Sequence, residues 1–217
     1  MNRIICVAMC AVLSILYLVP VATAAGKLEP VQLVKPQTSG GKPLLEALAK
    51  RKSTRAFDAR KLPPQVLSNL LWAACGVNRL ESGKRTAPSA MNHQEIAVYA
   101  ATADGLYLYN AKDHRLDPVF AEDIRARAGE QPFVKTAPVV LIYVADHSLM
   151  GDTPRDSRDF YSATDTGFIS QNVYLYCASE GLATVVLGWV DKPALAKAMK
   201  LRDDQKIILT QPVGYPK

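Results

Sequence analysis

The stretch that most limits what this chain can fold into is Pro138 to Val144, an unbroken apolar run read Pro-Val-Val-Leu-Ile-Tyr-Val. A run of that length with no polar alternation reads as a central strand buried on both faces. Behind it, Phe160 to Glu180 carries apolar and small residues at helical spacing and meets Gly181, which predicts a long, largely buried helix with a glycine stop. A sheet strand buried twice over, followed by a long helix, requires layers of helix on both sides or further sheet around it.

The remaining patterns interleave helix and strand. Helices are expected over Leu44–Lys50, from Pro63-Pro64 through Trp72 to Gly76, over Phe120–Ala128 and over Pro193–Met199; proline suits a first helical turn. Strands are expected over Glu95–Thr102, Ala183–Val190 and Lys206–Gln211. Asp104-Gly105 turns the first of these into the alternating Leu106-Tyr107-Leu108-Tyr109, a hairpin. Gly151–Arg158 reads as a polar loop. A hairpin among helices and strands points to an α+β fold with a central mixed or antiparallel sheet.

Three segments divide the chain. Residues 1–25 hold one charge, Arg3, an apolar run from Ile4 to Val19, and Ala22-Thr23-Ala24, a small-x-small cleavage pattern. The run is short for a membrane span, which needs about 20 apolar residues. The segment therefore reads as a secretion signal, with a retained anchor as the alternative, and it predicts a periplasmic or secreted protein with no membrane span once removed. Residues 26–43, with Pro30, Pro36, Pro43 and Gly40-Gly41, read as a linker or wrapping arm. Residues 44–217 form one domain; about 190 residues after the signal can bury a substantial core.

Loss of Arg3 lowers the formal charge from +6 to +5. The cations are scattered, without the basic stripe or aromatic interleaving of a nucleic-acid surface, so a small anionic ligand fits better. Cys75 and Cys177, the cysteines outside the signal, sit in apolar helical contexts; buried thiols are the simpler reading and a single bridge the other. There is no Gly-x-Gly-x-x-Gly, no Gly-x-Ser-x-Gly and no Gly-Lys-Ser/Thr loop. His93, His114 and His147 lack ligand spacing, so no metal site is expected. No spacing assembles an acid–base or nucleophile constellation, and the catalytic residues stay unassigned.

Two clusters carry the chemistry that remains. Arg51-Lys52-Ser53-Thr54-Arg55 packs three cations and two hydroxyls into five residues, suited to gripping a phosphate, although such clusters are also common at solvated helix ends. Pro88-Ser89-Ala90-Met91-Asn92-His93-Gln94 is a small-residue turn with two side-chain amides, suited to hydrogen-bonding a flat heterocycle.

With these motifs in order, the chain resembles the FMN-dependent nitroreductase superfamily. The likeness lies in Arg51-Lys52-Ser53-x-Arg55-x-Phe57, Leu70-Leu71-Trp72-Ala73-Ala74-x-Gly76-x-Asn78-Arg79 and Arg85-Thr86-Ala87-Pro88-Ser89-Ala90-x-Asn92-x-Gln94. Ala137-Pro138, Gln171-Asn172, Ser179–Thr184 and Pro212–Pro216 extend it over roughly residues 44–216. The Leu-Leu-Trp-Ala-Ala and Arg-Thr-Ala-Pro-Ser-Ala forms are similar to the SagB-type branch, whose named members oxidise azoline rings in modified peptides. The Lys-Tyr signature of those dehydrogenases is not evident, and that substrate is not carried over.

The resemblance implies a homodimer with FMN at the subunit interface. Arg51, Lys52, Ser53 and Arg55 would lie along the ribityl phosphate and the pyrimidine edge, with Lys217 as a further phosphate contact. Pro88, Ser89, Ala90 and Asn92 would come from the partner subunit to cover the isoalloxazine. The backbone at Glu180, Gly181 and Leu182 would approach the flavin N5 side. It also implies ping-pong hydride transfer from NAD(P)H to a small organic substrate. A non-catalytic flavin-binding scaffold and a tailoring dehydrogenase without nicotinamide are the alternatives. The chain departs from the family pattern after Gln94, where Glu95 stands in place of the Pro-Trp of many relatives.

Overall fold

The structure is a computed structural model and describes residues 27–217; the expected secretion signal lies outside the described residues. In chain order the elements are β1 (Val31–Gln32), α1 (Leu44–Lys50), β2 (Phe57–Asp58), α2 (Pro64–Cys75), β3 (Val77–Arg79), β4 (Lys84–Arg85), β5 (Ile96–Thr102), β6 (Leu106–Asn110), β7 (Arg115–Phe120), β8 (Val139–Asp146), α3 (Arg155–Glu180), β9 (Ala183–Thr184), α4 (Lys192–Met199) and β10 (Gln205–Pro216). Eight strands form one sheet in the order β1-β7-β6-β5-β8-β10-β2, with β9 beside β10. Every pairing in it is antiparallel. The class is the expected α+β one.

β8 holds the centre, as its apolar run requires. Val139, Leu141, Tyr143 and Ala145 pack on one side with α2 and α3, through Leu70, Leu71, Ile169 and Val173. Val140, Ile142 and Val144 face the other way onto Ile124, Leu195 and Met199. Because both faces are covered by protein, neither face of the strand needs polar residues.

α3 starts five residues earlier than the expected Phe160, so the end of the expected polar loop is helical. Its buried stripe, Ser162, Asp165, Thr166, Ile169, Ser170, Val173 and Cys177, keeps helical spacing but is more than half polar. Phe160 and Phe168 are exposed on the opposite side, so the helix is buried along one stripe only.

Three expectations are corrected. Phe120–Ala128 is not a helix: β7 ends at Phe120, and only Arg125–Arg127 makes a 3-10 turn. Phe120, Ile124 and Ala128 repeat at i, i+4 and i+8, which imitates a helix. The chain instead turns on Asp123, whose carboxylate accepts from the Arg125 backbone and clasps its guanidinium. Ala183–Val190 keeps strand form only at Ala183–Thr184, with one isolated bridge from Leu187 to Thr210. The last strand runs past Gln211 to Pro216 despite Pro212. Pro212 falls between the Leu187–Thr210 bridge and the Thr184–Val213 pair, where that edge of β10 has no partner for a proline to disappoint.

Residues 27–43 lie along the sheet edge and the helices. Val31 pairs with Leu116, Leu33 is buried in the core, and the Lys42 backbone and ammonium both bind Ser179 of α3. No helix among the described residues is long and apolar enough to cross a membrane.

Candidate functional site

α1 ends when the Arg51 N–H closes on Ala47 O, and residues after it run extended towards β2. The Thr54 N–H donates to Thr184 O at 2.9 Å and the Lys217 N–H to Ala56 O at 3.3 Å. β2 pairs with Tyr215 and Pro216. These ties bring the basic cluster, the C-terminus and the end of α3 around one cleft of about 630 Å³. Of the expected residues, Lys52, Gly181, Leu182 and Lys217 line it, and Lys42, Lys50, Thr54, Tyr174, Cys177 and Thr184 join them.

The charge there is uncompensated. Lys50 pairs with Glu46, but among the described residues no carboxylate lies within salt-bridge distance of Arg51, Lys52, Arg55 or Lys217. Lys52 and Lys217 thus line the cleft unpaired, whereas Arg51, Ser53 and Arg55 lie outside its lining; free cations at a cleft of ligand size make a site for an anion such as a phosphate monoester.

Tyr174 of α3 organises this segment. Its phenol oxygen accepts the Val186 N–H at 2.9 Å and shares a hydrogen bond with Ser53 Oγ, also at 2.9 Å. The Arg51 guanidinium lies 5.4 Å from the ring centroid, within cation–π range. No local pattern announces this role, because Ser53 and Tyr174 are 121 residues apart.

The expected approach segment, Glu180–Leu182, stands at the C-terminal end of α3. Gly181 has φ +71° and caps α3; its N–H and that of Leu182 both bond to Cys177 O. Those amides close the helix, so the glycine answers to capping geometry, and Gly181 and Leu182 wall the cleft. Glu180 points elsewhere, accepting from Ser179 Oγ beside the Gly40-Gly41 arm.

The second cluster forms a tight turn. Met91, Asn92 and Gln94 take φ of 50°, 57° and 52°, left-handed values that cost a side chain about 1 kcal/mol or more each. Ser89 Oγ accepts the Gln94 N–H at 3.0 Å, and Asp165 of α3 accepts the Ala90 N–H at 2.9 Å. Pro88 and Asn92 are exposed and Ser89 and Ala90 partly so. Asp165 under this turn and Cys177 in the cleft are separated on α3 by roughly 18 Å at 1.5 Å per residue. Within the chain the two clusters therefore stay apart.

Cys75 and Cys177 are both buried and unbridged. Burial pushes the Cys75 thiol up to about 11, against a smaller opposing pull from Arg85, and pushes Cys177 higher still. Neither is a nucleophile at neutral pH. Among the described residues no group of three His, Cys, Asp or Glu side chains could hold a metal ion.

Comparison with known proteins identifies a family. The model for "Nitroreductase family" matches residues 48–215. A crystallised protein of Ralstonia eutropha assigned to the nitroreductases is 44% identical, with a TM-score of 0.84 over 88% of this chain and 90% of its own. MJ1384 of Methanocaldococcus jannaschii, also assigned to the nitroreductases, is 31% identical over 79% of this chain and 90% of its own. The NADPH:FMN oxidoreductase of Vibrio harveyi shares the fold at 18% identity, with a TM-score of 0.61 over 80% of this chain and 69% of its own.

Proposed function

The chain belongs to the nitroreductase family of flavin-dependent oxidoreductases, and on that premise we propose that it is an exported, homodimeric FMN enzyme passing hydride from NAD(P)H to a small organic substrate. The observation that carries the FMN reading is the cleft of unpaired cations beside a hydroxyl-rich strand. A flavin without phosphate would leave that charge unanswered, whereas FMN ends in a dianion. The Vibrio harveyi relative, an NADPH:FMN oxidoreductase, supports the same pair of redox partners.

Bound FMN supplies the two-electron chemistry. The chain's own part is to hold and orient it. Arg51, Lys52, Arg55 and Lys217 take the phosphate, and Ser53, fixed by Tyr174, adds a hydroxyl. Positive charge near the pyrimidine edge favours the anionic reduced flavin and raises its potential.

The homodimer is supported by the distance between the two clusters. A two-fold partner can lay its Pro88–Gln94 turn over this protomer's cleft, which the protomer's own turn cannot reach. Exposed Leu44, Leu45 and Leu48 on α1, with Phe160 and Phe168 on α3, offer apolar surface for such an interface. Residues 1–25 act in this proposal as a cleaved export signal, and the mass of the protein recovered from the periplasm checks it.

The deciding experiment is the visible spectrum of the FMN-loaded protein from about residue 26, recorded anaerobically before and after NADH or NADPH. Flavin bands bleached by either nucleotide are expected. Bands bleached by dithionite alone would replace the nicotinamide with another donor. Absence of bound flavin would overturn the cofactor assignment.

A further inference from the structure

Beneath the Pro88–Gln94 turn lie two carboxyl groups that the proposed chemistry leaves unused. Glu95 follows the turn directly, is 0% exposed, and neither of its carboxylate oxygens meets a donor. Asp165, 2% exposed, meets it from α3 and accepts the Ala90 N–H. Position 95 is where this chain departs from the family pattern, so membership does not explain the pair.

Two ionised carboxylates in contact and out of water repel each other and have both lost hydration. One retained proton turns the repulsion into a hydrogen bond. Its location follows from the donors. Asp165 already accepts from Ala90 and faces His93, which favours its ionised form, while neither Glu95 oxygen receives a hydrogen bond of good geometry and only the Ser162 hydroxyl and its own backbone lie near it. We propose that Glu95 keeps the single proton and donates it to Asp165, and that this hydrogen bond seats the Asp165 carboxylate that holds the Ala90 turn. Both are positioning residues for the loop, and the inference rests on that loop covering a flavin.

Burial, followed by the Asp165 charge, holds the Glu95 carboxyl above the usual carboxylate range; burial also raises Asp165. The groups facing the pair are few. Ser162 of α3 adjoins Glu95, with His147 3.4 Å behind that hydroxyl. His93 lies on the turn side of Asp165, and Arg85 and Cys75 share with Asp165 a void of about 20 Å³. Loss of the proton sets two charges in contact with no cation between them. Asp165 is then driven off its seat, the Ala90 N–H is released, and a turn with three left-handed side chains relaxes.

The test uses the FMN-loaded dimer and follows two readouts across pH: the Ala90 amide resonance by NMR and the FMN dissociation constant. In the wild type the Ala90 signal is expected to move in a one-proton step above the usual carboxylate range, with FMN affinity falling about tenfold over the same step. In Glu95→Gln the side-chain amide donates permanently, so both readouts stay flat. In Asp165→Ala the Ala90 signal sits at its released position at every pH, and FMN binds about 10- to 100-fold more weakly. A wild-type Ala90 signal that does not titrate, or one that still titrates in Glu95→Gln, overturns the proposal; those two measurements decide it even if Asp165→Ala fails to fold. Titration of Ala90 without a change in FMN affinity overturns the positioning role. Titration of Ala90 in a protein that binds no FMN leaves the pair standing and overturns the flavin reading instead.

Discussion

Two stretches of α3 solve opposite electrostatic problems. Around Cys177 and Gly181 the helix walls an open cleft in which cations outnumber their partners. Around Asp165 it closes on a second acid, both buried, and among the described residues neither is in a salt bridge. Exposed positive charge costs little, because water solvates it until a ligand arrives. Buried negative charge is tolerated only by keeping a proton. The first arrangement is therefore ready to bind an anion and the second to hold backbone in place, and the same helix fixes the spacing between them.

The comparison breaks most sharply at the cationic end. Replacing both Arg51 and Arg55 by Ala should remove two charge-assisted bonds worth about 1.5–3 kcal/mol each, weakening FMN by roughly 10²- to 10⁴-fold. Flavin content after dialysis measures it, and an unchanged content would remove the phosphate assignment while leaving the fold untouched.

At the acidic end the sharper probe is stability against pH. Glu95 binds its proton more tightly folded than unfolded. Its contribution is thus fully present below the unfolded glutamate value, about 4.3, and is lost as pH rises through the raised folded value. Glu95→Gln abolishes that loss, so the variant should gain on the wild type as pH rises, by about 1–3 kcal/mol at the alkaline limit. Urea melts at several pH values test this; parallel pH curves for the two proteins would refute a shared proton.

A smaller effect comes from the cap between the regions. Gly181→Ala places a side chain at φ +71° with open space around it. Strain alone should cost about 1 kcal/mol, visible as a few degrees in Tm. Tyr174→Phe should cost a similar or smaller amount, about 0.5–1.5 kcal/mol, through lost bonds to Ser53 and Val186. Its FMN affinity should fall less than that of the double arginine variant. The smallest response is expected from the thiols: Cys75 and Cys177 should resist alkylation at pH 8 until the protein is unfolded.

How much could be read in advance differed by element. α2, with proline at its start and Gly76 after its end, and the β5–β6 hairpin around Asp104-Gly105 were legible because local chemistry encodes both ends. The segment Phe120–Ala128 reads falsely as a helix because Phe120, Ile124 and Ala128 happen to repeat at helical spacing. β10 was cut short at Pro212 because no local rule reveals where a neighbouring strand leaves a gap. Within the site, Arg51–Arg55 and Pro88–Gln94 stood out by residue type. Tyr174, Lys42 and Asp165 did not, since each matters through a residue distant in the chain: Ser53, Ser179 and Ala90.

By itself, then, the sequence determined the α+β class, the central strand, the long helix and the family, all of which follow from periodicities and motifs contained in a few adjacent residues. Only the tertiary structure decided that Tyr174 organises the cationic strand, and that Glu95 and Asp165 meet in the dark under one turn. Hydrogen-bond partners and burial are properties of neighbours in space, and a chain folded into an antiparallel sheet brings together residues that its order keeps far apart.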